Sequence, residues 1–149
     1  MRVNEIKTTA LKLLEDNAYG FYKRKIIAHM FEAETLSILL AHKRSLNEEY
    51  AAIIGLLHDL SIAIDCNDFG HASRSSMLAK KMLSEHGGFT EEEINLITTA
   101  IANHSTKEVV QDPYSECIKD ADVLAHVMNQ DVLDGIKKER AEKAARELL

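Results

Sequence analysis

Apolar side chains recur every three or four residues along most of this chain, the spacing of helices that bury one face. The alternating β-branched runs of strands are missing, and one proline and six glycines punctuate the 149 residues. The pattern predicts an all-α fold, a single compact helical domain over residues 1–149 with six to seven helices. A first segment runs from about Asn4 to Asp16 and closes before Gly20. A second, about Lys23 to Lys43, aligns Ile26, Ile27, Met30, Ala33, Leu36 and Leu40. The third opens at Asn47, a good N-cap, and carries Ala51, Ile54, Leu57 and His58. Asn, Asp and Gly content makes residues 65–70 a loop. The fourth, about His71 to His86, stops at Gly87-Gly88. Thr90 and Glu93 form a capping box for the fifth, which carries Ile94, Ile97, Ile101 and His104. Asp112-Pro113 starts the sixth, with Ile118, Ala121, Leu124 and Ala125. The charged last segment, about Val132 to Leu149, reads as a solvated terminal helix. Its thin stripe of Ile136, Ala141, Ala144 and Leu148 leaves a contact with a second copy of the chain as the alternative.

Composition excludes two broad classes. Hydrophobic residues at 46% and charged residues at 28% are globular values rather than those of a disordered chain. The longest weakly polar stretch, Tyr50 to Ile64, contains His58 and Asp59 and falls short of the roughly 20 apolar residues that span a bilayer. No apolar run follows Met1-Arg2-Val3-Asn4-Glu5, so no signal peptide is expected. Cys66 and Cys117 are too few for a disulfide framework and read as reduced thiols of a cytoplasmic protein. Eighteen Lys and Arg against 24 Asp and Glu give a net charge of −6, with no clustered basic stripe outside the C-terminus. Nucleic acid and membranes are not expected partners. A small anionic ligand stays open, because bound metal ions supply local positive charge.

The informative positions are polar residues that interrupt the apolar faces. His29 sits beside Met30 in the buried stripe of the second segment. His104 follows Ala100 and Ile101. Asp122 lies between Ile118 and Ala125, and His58-Asp59 ends the run Ala51-Ala52-Ile53-Ile54-Gly55-Leu56-Leu57. Each costs several kcal/mol to bury unpaired, on the order of 2–7 for a neutral group and more for a charge. A divalent metal satisfies them together, since neutral imidazole and carboxylate are both good ligands and helical bundles build such sites from facing helices. Taken singly, each histidine is more often a satisfied core or surface residue. His42 and His86 sit near helix ends, His126 shares a face with Asp122, and Asp120 and Asp65 are weaker supporting candidates.

The order His29, His58-Asp59, Asp122 in an all-helical chain resembles the HD-domain superfamily of metal-dependent phosphohydrolases, over about Ile26 to Met128. Leu56-Leu57-His58-Asp59-Leu60 is similar to the family's central motif, and Ala121-Asp122 to its closing Ala-Asp pair. The resemblance implies that His29, His58, Asp59 and Asp122 hold one divalent ion. It also implies that His71 and His104 hold a second, with Asp59 bridging. One or two ions per chain are expected, from among Fe, Mn, Co, Ni, Zn and Mg. The implied activity is hydrolysis of a nucleotide or other small phosphorylated metabolite, with Asp59 and His58 as catalytic residues. Two alternatives share the ligands: a di-iron oxygenase and a regulatory domain that binds metal without turnover. The chain departs from the family where Ser61, Ile62 and Ala63 follow the His-Asp pair in place of a Lys or Arg, and where Ser105 follows His104. Arg74, one turn after His71, is the candidate replacement cation.

Overall fold

The computed structural model describes residues 2–149, and among them are eight helices and no strand. They are α1 (Arg2–Asn17), α2 (Gly20–Lys43), α3 (Glu48–Leu57), α4 (Leu60–Asp65), α5 (His71–His86), α6 (Glu91–Asn103), α7 (Pro113–Met128) and α8 (Gly135–Leu148). The start signals act as the sequence predicts. Asn47 accepts from the backbone N–H of Glu49 and Tyr50, Thr90 and Glu93 close a reciprocal capping box, and Asp112 accepts from Tyr114 and Ser115. Each satisfies backbone donors that a helix N-terminus leaves unpaired.

The core is built around α3. Every residue from Ala51 to Leu57 is buried, against α1, α2, α6 and α7. Gly55 sets the approach to α2: a Cβ there would lie 2.7 Å from the Ala33 carbonyl oxygen. A glycine at this position lets α3 lie directly on the backbone of the helix that carries His29. None of the helices is both long and apolar enough to cross a membrane, among the described residues.

Two expectations are corrected. The sequence pattern predicts no break between Asn47 and the loop at residues 65–70, but the helix ends at Leu57, and Asp59 takes φ −113° and ψ 10° before α4 begins. This break accounts for the eighth helix. The terminal helix is not merely solvated either. α8 buries Ala141 and Ala144 and lays Arg140 and Glu147 against α7 and α2. Arg140 bonds Asp120 and Glu116 at 2.9 Å each, while Arg44 joins Asp120 at 2.7 Å and Glu147 at 2.8 Å.

Candidate metal centre

The six sequence-selected ligands come from six helices or their ends and meet at the floor of one cleft. His29 projects from the middle of α2 and Asp122 from the middle of α7. His58 follows the last residue of α3, Asp59 precedes α4, His71 opens α5 and His104 follows α6. Ligand-competent atoms of His29, His58, Asp59 and Asp122 lie within 4.8 Å of one another, as do those of Asp59, His71 and His104. Asp59 belongs to both groups and divides its oxygens between them. Its Oδ2 is 3.3 Å from His29 Nε2 and 3.4 Å from His58 Nε2. Its Oδ1 is 3.3 Å from His71 Nε2 and 3.1 Å from His104 Nε2.

Three of the histidines are oriented by one local device. Nδ1 of His58, His71 and His104 donates to the carbonyl three residues earlier, Gly55, Asp68 and Ile101, at 2.9, 2.7 and 2.7 Å. For His58 and His104 that carbonyl belongs to the last turn of a helix, where the regular donor four residues on is missing. With the proton fixed on Nδ1, each ring turns a bare Nε2 lone pair into the site, the usual arrangement of a metal-ligating histidine.

The donor set fits a cation. His29 Nε2 and His58 Nε2 approach to 3.1 Å, as do His71 Nε2 and His104 Nε2. Asp122 Oδ1 is buried 3.1 Å from His29 Nε2 and 3.6 Å from His58 Nε2, yet no donor is directed at it. Converging imidazole nitrogens and an orphaned carboxylate oxygen form a donor set into which a divalent cation fits. The titration behaviour has the same sense. Burial disfavours charge on His29, but the Asp122 and Asp59 carboxylates outweigh it and push its pKa up to about 10. Burial likewise opposes ionised Asp59 and Asp122, yet their neighbours, foremost His58 for Asp59 and Lys107 for Asp122, hold both well below the usual carboxylate range. His104 is pushed down by burial. His71 is raised by its bond to Asp59, so that carboxylate overrides the helix N-terminus expected to favour its neutral form.

Several weaker candidates fall elsewhere. Asp120 faces away from the cleft and serves the Arg44–Arg140 network. Arg74 pairs with Asp65 and donates to the carbonyls of Asn67 and Phe69, fastening the loop before α5 instead of offering a cation to the cleft. His42 pairs with Glu48 and His86 with Glu5 at the surface. His126 is closer to the chemistry than its spacing alone indicated. It is half-buried, lines the cleft, and puts Nε2 3.4 Å from Asp122 Oδ1 while Nδ1 meets Asp131 at 2.8 Å. The sequence reading missed Lys107, which is only 3% exposed and places Nζ 2.7 Å from Asp122 Oδ2. Its one linear signal is a position three residues after His104, inside an otherwise polar turn.

Above the ligands the cleft opens to about 940 Å³. Phe21, Tyr22 and Lys25 from α2 line it, together with Val132, Leu133 and Lys137. The HD domain family matches the chain over residues 26–126, a span that contains all six ligand positions. The chain therefore belongs to the HD-domain superfamily, whose members bind divalent metals and are typically metal-dependent phosphohydrolases. No curated protein and no solved structure compared with it gave a match.

Proposed function

We infer that this chain is a metal-dependent phosphohydrolase acting on a nucleotide or another small phosphorylated metabolite. The observation that carries the reading is the division of Asp59 between two ligand groups, a layout suited to a pair of ions bridged by one carboxylate. Ions held there would polarise a phosphoryl oxygen and lower the pKa of a bound water toward neutrality. The chain's own residues do the rest. Asp59 and His58 hold the reacting centre at the cleft floor, His29 and Asp122 complete the first ligand group, and His71 and His104 complete the second.

The cleft supports a small anionic substrate. Lys25 and Lys137 stand on its walls in a chain of net charge −6, and Phe21 and Tyr22 offer ring surface beside Lys25. A phosphate drawn to the floor would leave the remainder of the molecule against these side chains. The test is metal analysis of protein purified without chelators, followed by phosphate release from a panel of nucleotides and phosphate esters with Mn²⁺, Co²⁺ or Mg²⁺. Turnover of at least one substrate is expected, lost in Asp59→Ala. Oxygen consumption by iron-loaded protein without phosphate release would instead move the chain to the oxygenase reading.

A further inference from the structure

Lys107 is a buried cation inside the site that the hydrolase reading leaves without a task. It lies in the segment between α6 and α7, and its Nζ donates to the His104 carbonyl at 2.5 Å and to Asp122 Oδ2 at 2.7 Å. These two acceptors belong to different ligand groups. His104 is in the second group and Asp122 in the first. The bond also sorts the oxygens of Asp122. Oδ2 is occupied by the ammonium, so only Oδ1 is left facing His29 and His58. Lys107 is held in turn from behind, because Arg140 Nε donates to its carbonyl at 2.8 Å while the same guanidinium binds Asp120 and Glu116. An ion pair that served only the fold could use any carboxylate. This one engages the far oxygen of a candidate ligand whose near oxygen has no partner.

We propose that Lys107 is a positioning residue of the metal centre, fixing Asp122 as a one-oxygen ligand and tying it to the backbone of His104. The role rests on the metal-centre reading and adds to it. Partners that orient a ligand typically contribute about 10–100-fold in metal affinity.

The experiment is a Co²⁺ titration of chelator-stripped protein, followed by visible d–d absorption, with circular dichroism to check the fold. Lys107→Met removes the donors and the charge at nearly constant volume. It should bind Co²⁺ about 10–100-fold more weakly than wild type. Its absorption should also weaken, because Asp122 can then coordinate through both oxygens and raise the coordination number. Lys107→Arg, which keeps charge and donors, should recover most of the affinity and the wild-type band. If the Met variant does not fold, Lys107→Gln is read in its place, with the same expectation. Wild-type affinity and spectrum in a neutral variant would overturn the role of Lys107 and leave the metal centre standing. Absence of Co²⁺ uptake by the wild-type protein would overturn both, which separates the two failures.

Discussion

His29 Nε2 and His58 Nε2 face each other 3.1 Å apart, with the orphaned Oδ1 of Asp122 beside them. Such an arrangement is well suited to a cation at its centre. Replacing both His58 and Asp59 with Ala should abolish uptake by the first ligand group. Metal added at about a hundred times its Kd should stabilise the wild type by about 2.7 kcal/mol and the double variant not at all. His42→Ala, far from the cleft, should behave as wild type. Elemental analysis and thermal melts with and without metal make the comparison.

Metal uptake should compete with protons. The carboxylates of Asp122 and Asp59 raise His29 to about 10, so in the metal-free protein it carries a proton at pH 7. Binding must expel that proton. Affinity should therefore rise about tenfold per pH unit between pH 7 and 9 and level off near the raised pKa. Calorimetry in buffers of different ionisation enthalpy would count the protons released. The sign reverses for the metal-free fold: its stabilisation by charged His29 is complete below the ordinary value of 6.5 and fades as pH rises through about 10.

The two ligand groups should separate by mutation. His71→Ala and His104→Ala each remove a donor from the second group and none from the first. Each variant should keep about one ion per chain, with hydrolysis reduced by orders of magnitude, because two ions stabilise both the attacking and leaving oxygens. Wild-type turnover in both variants at limiting metal would leave a mononuclear mechanism on the first group.

Gly55→Ala should be more damaging than its size suggests. The added methyl group meets the backbone of Ala33, not a side chain that could rotate away. A loss of about 1–3 kcal/mol is expected from overpacking. Metal affinity should fall with it, since separating α3 from α2 moves His58 away from His29. Chemical denaturation and Co²⁺ titration of the same variant would show whether the two losses go together.

Acid sensitivity should have a source far from the cleft. Arg2 bonds both Glu49 and Glu93, joining the N-terminus of α1 to α3 and α6. The bond to Arg2, helped by the Thr90 backbone and Tyr50, lowers Glu93 from 4.5 to about 2. A depressed carboxylate stabilises the fold above its unfolded pKa, and that stabilisation is lost as pH falls from about 4.5 to about 2. Glu93→Gln should be less stable than wild type at pH 7 and flatter in stability across that acid window.

What the sequence made legible was whatever hydropathy marks directly. Asn47, Thr90 and Asp112 announce helix starts by their side-chain chemistry, and His29, His104 and Asp122 stand out as polar groups on apolar faces. The break between α3 and α4 gives no such sign, because Leu60, Ile62 and Ile64 continue the apolar run past it. The docking of α8 was hidden for the opposite reason. It depends on Arg140 and Glu147 finding Asp120 and Arg44, long-range pairings that linear spacing does not encode. Lys107 was hidden in the same way, being buried by its surroundings and not by its neighbours in sequence.

The grip of Arg140 on the Lys107 carbonyl makes the last helix part of the site's foundation. No side chain of α8 belongs to either ligand group, so clipping the chain after Asp131 would delete none of the six candidate ligands. It would nonetheless strip Asp120 and Glu116 of a half-buried guanidinium and free the turn that braces Asp122. A protease that nicks the segment before Gly135, or a fusion that pulls α8 off its bed, would loosen that brace from the rear of the molecule.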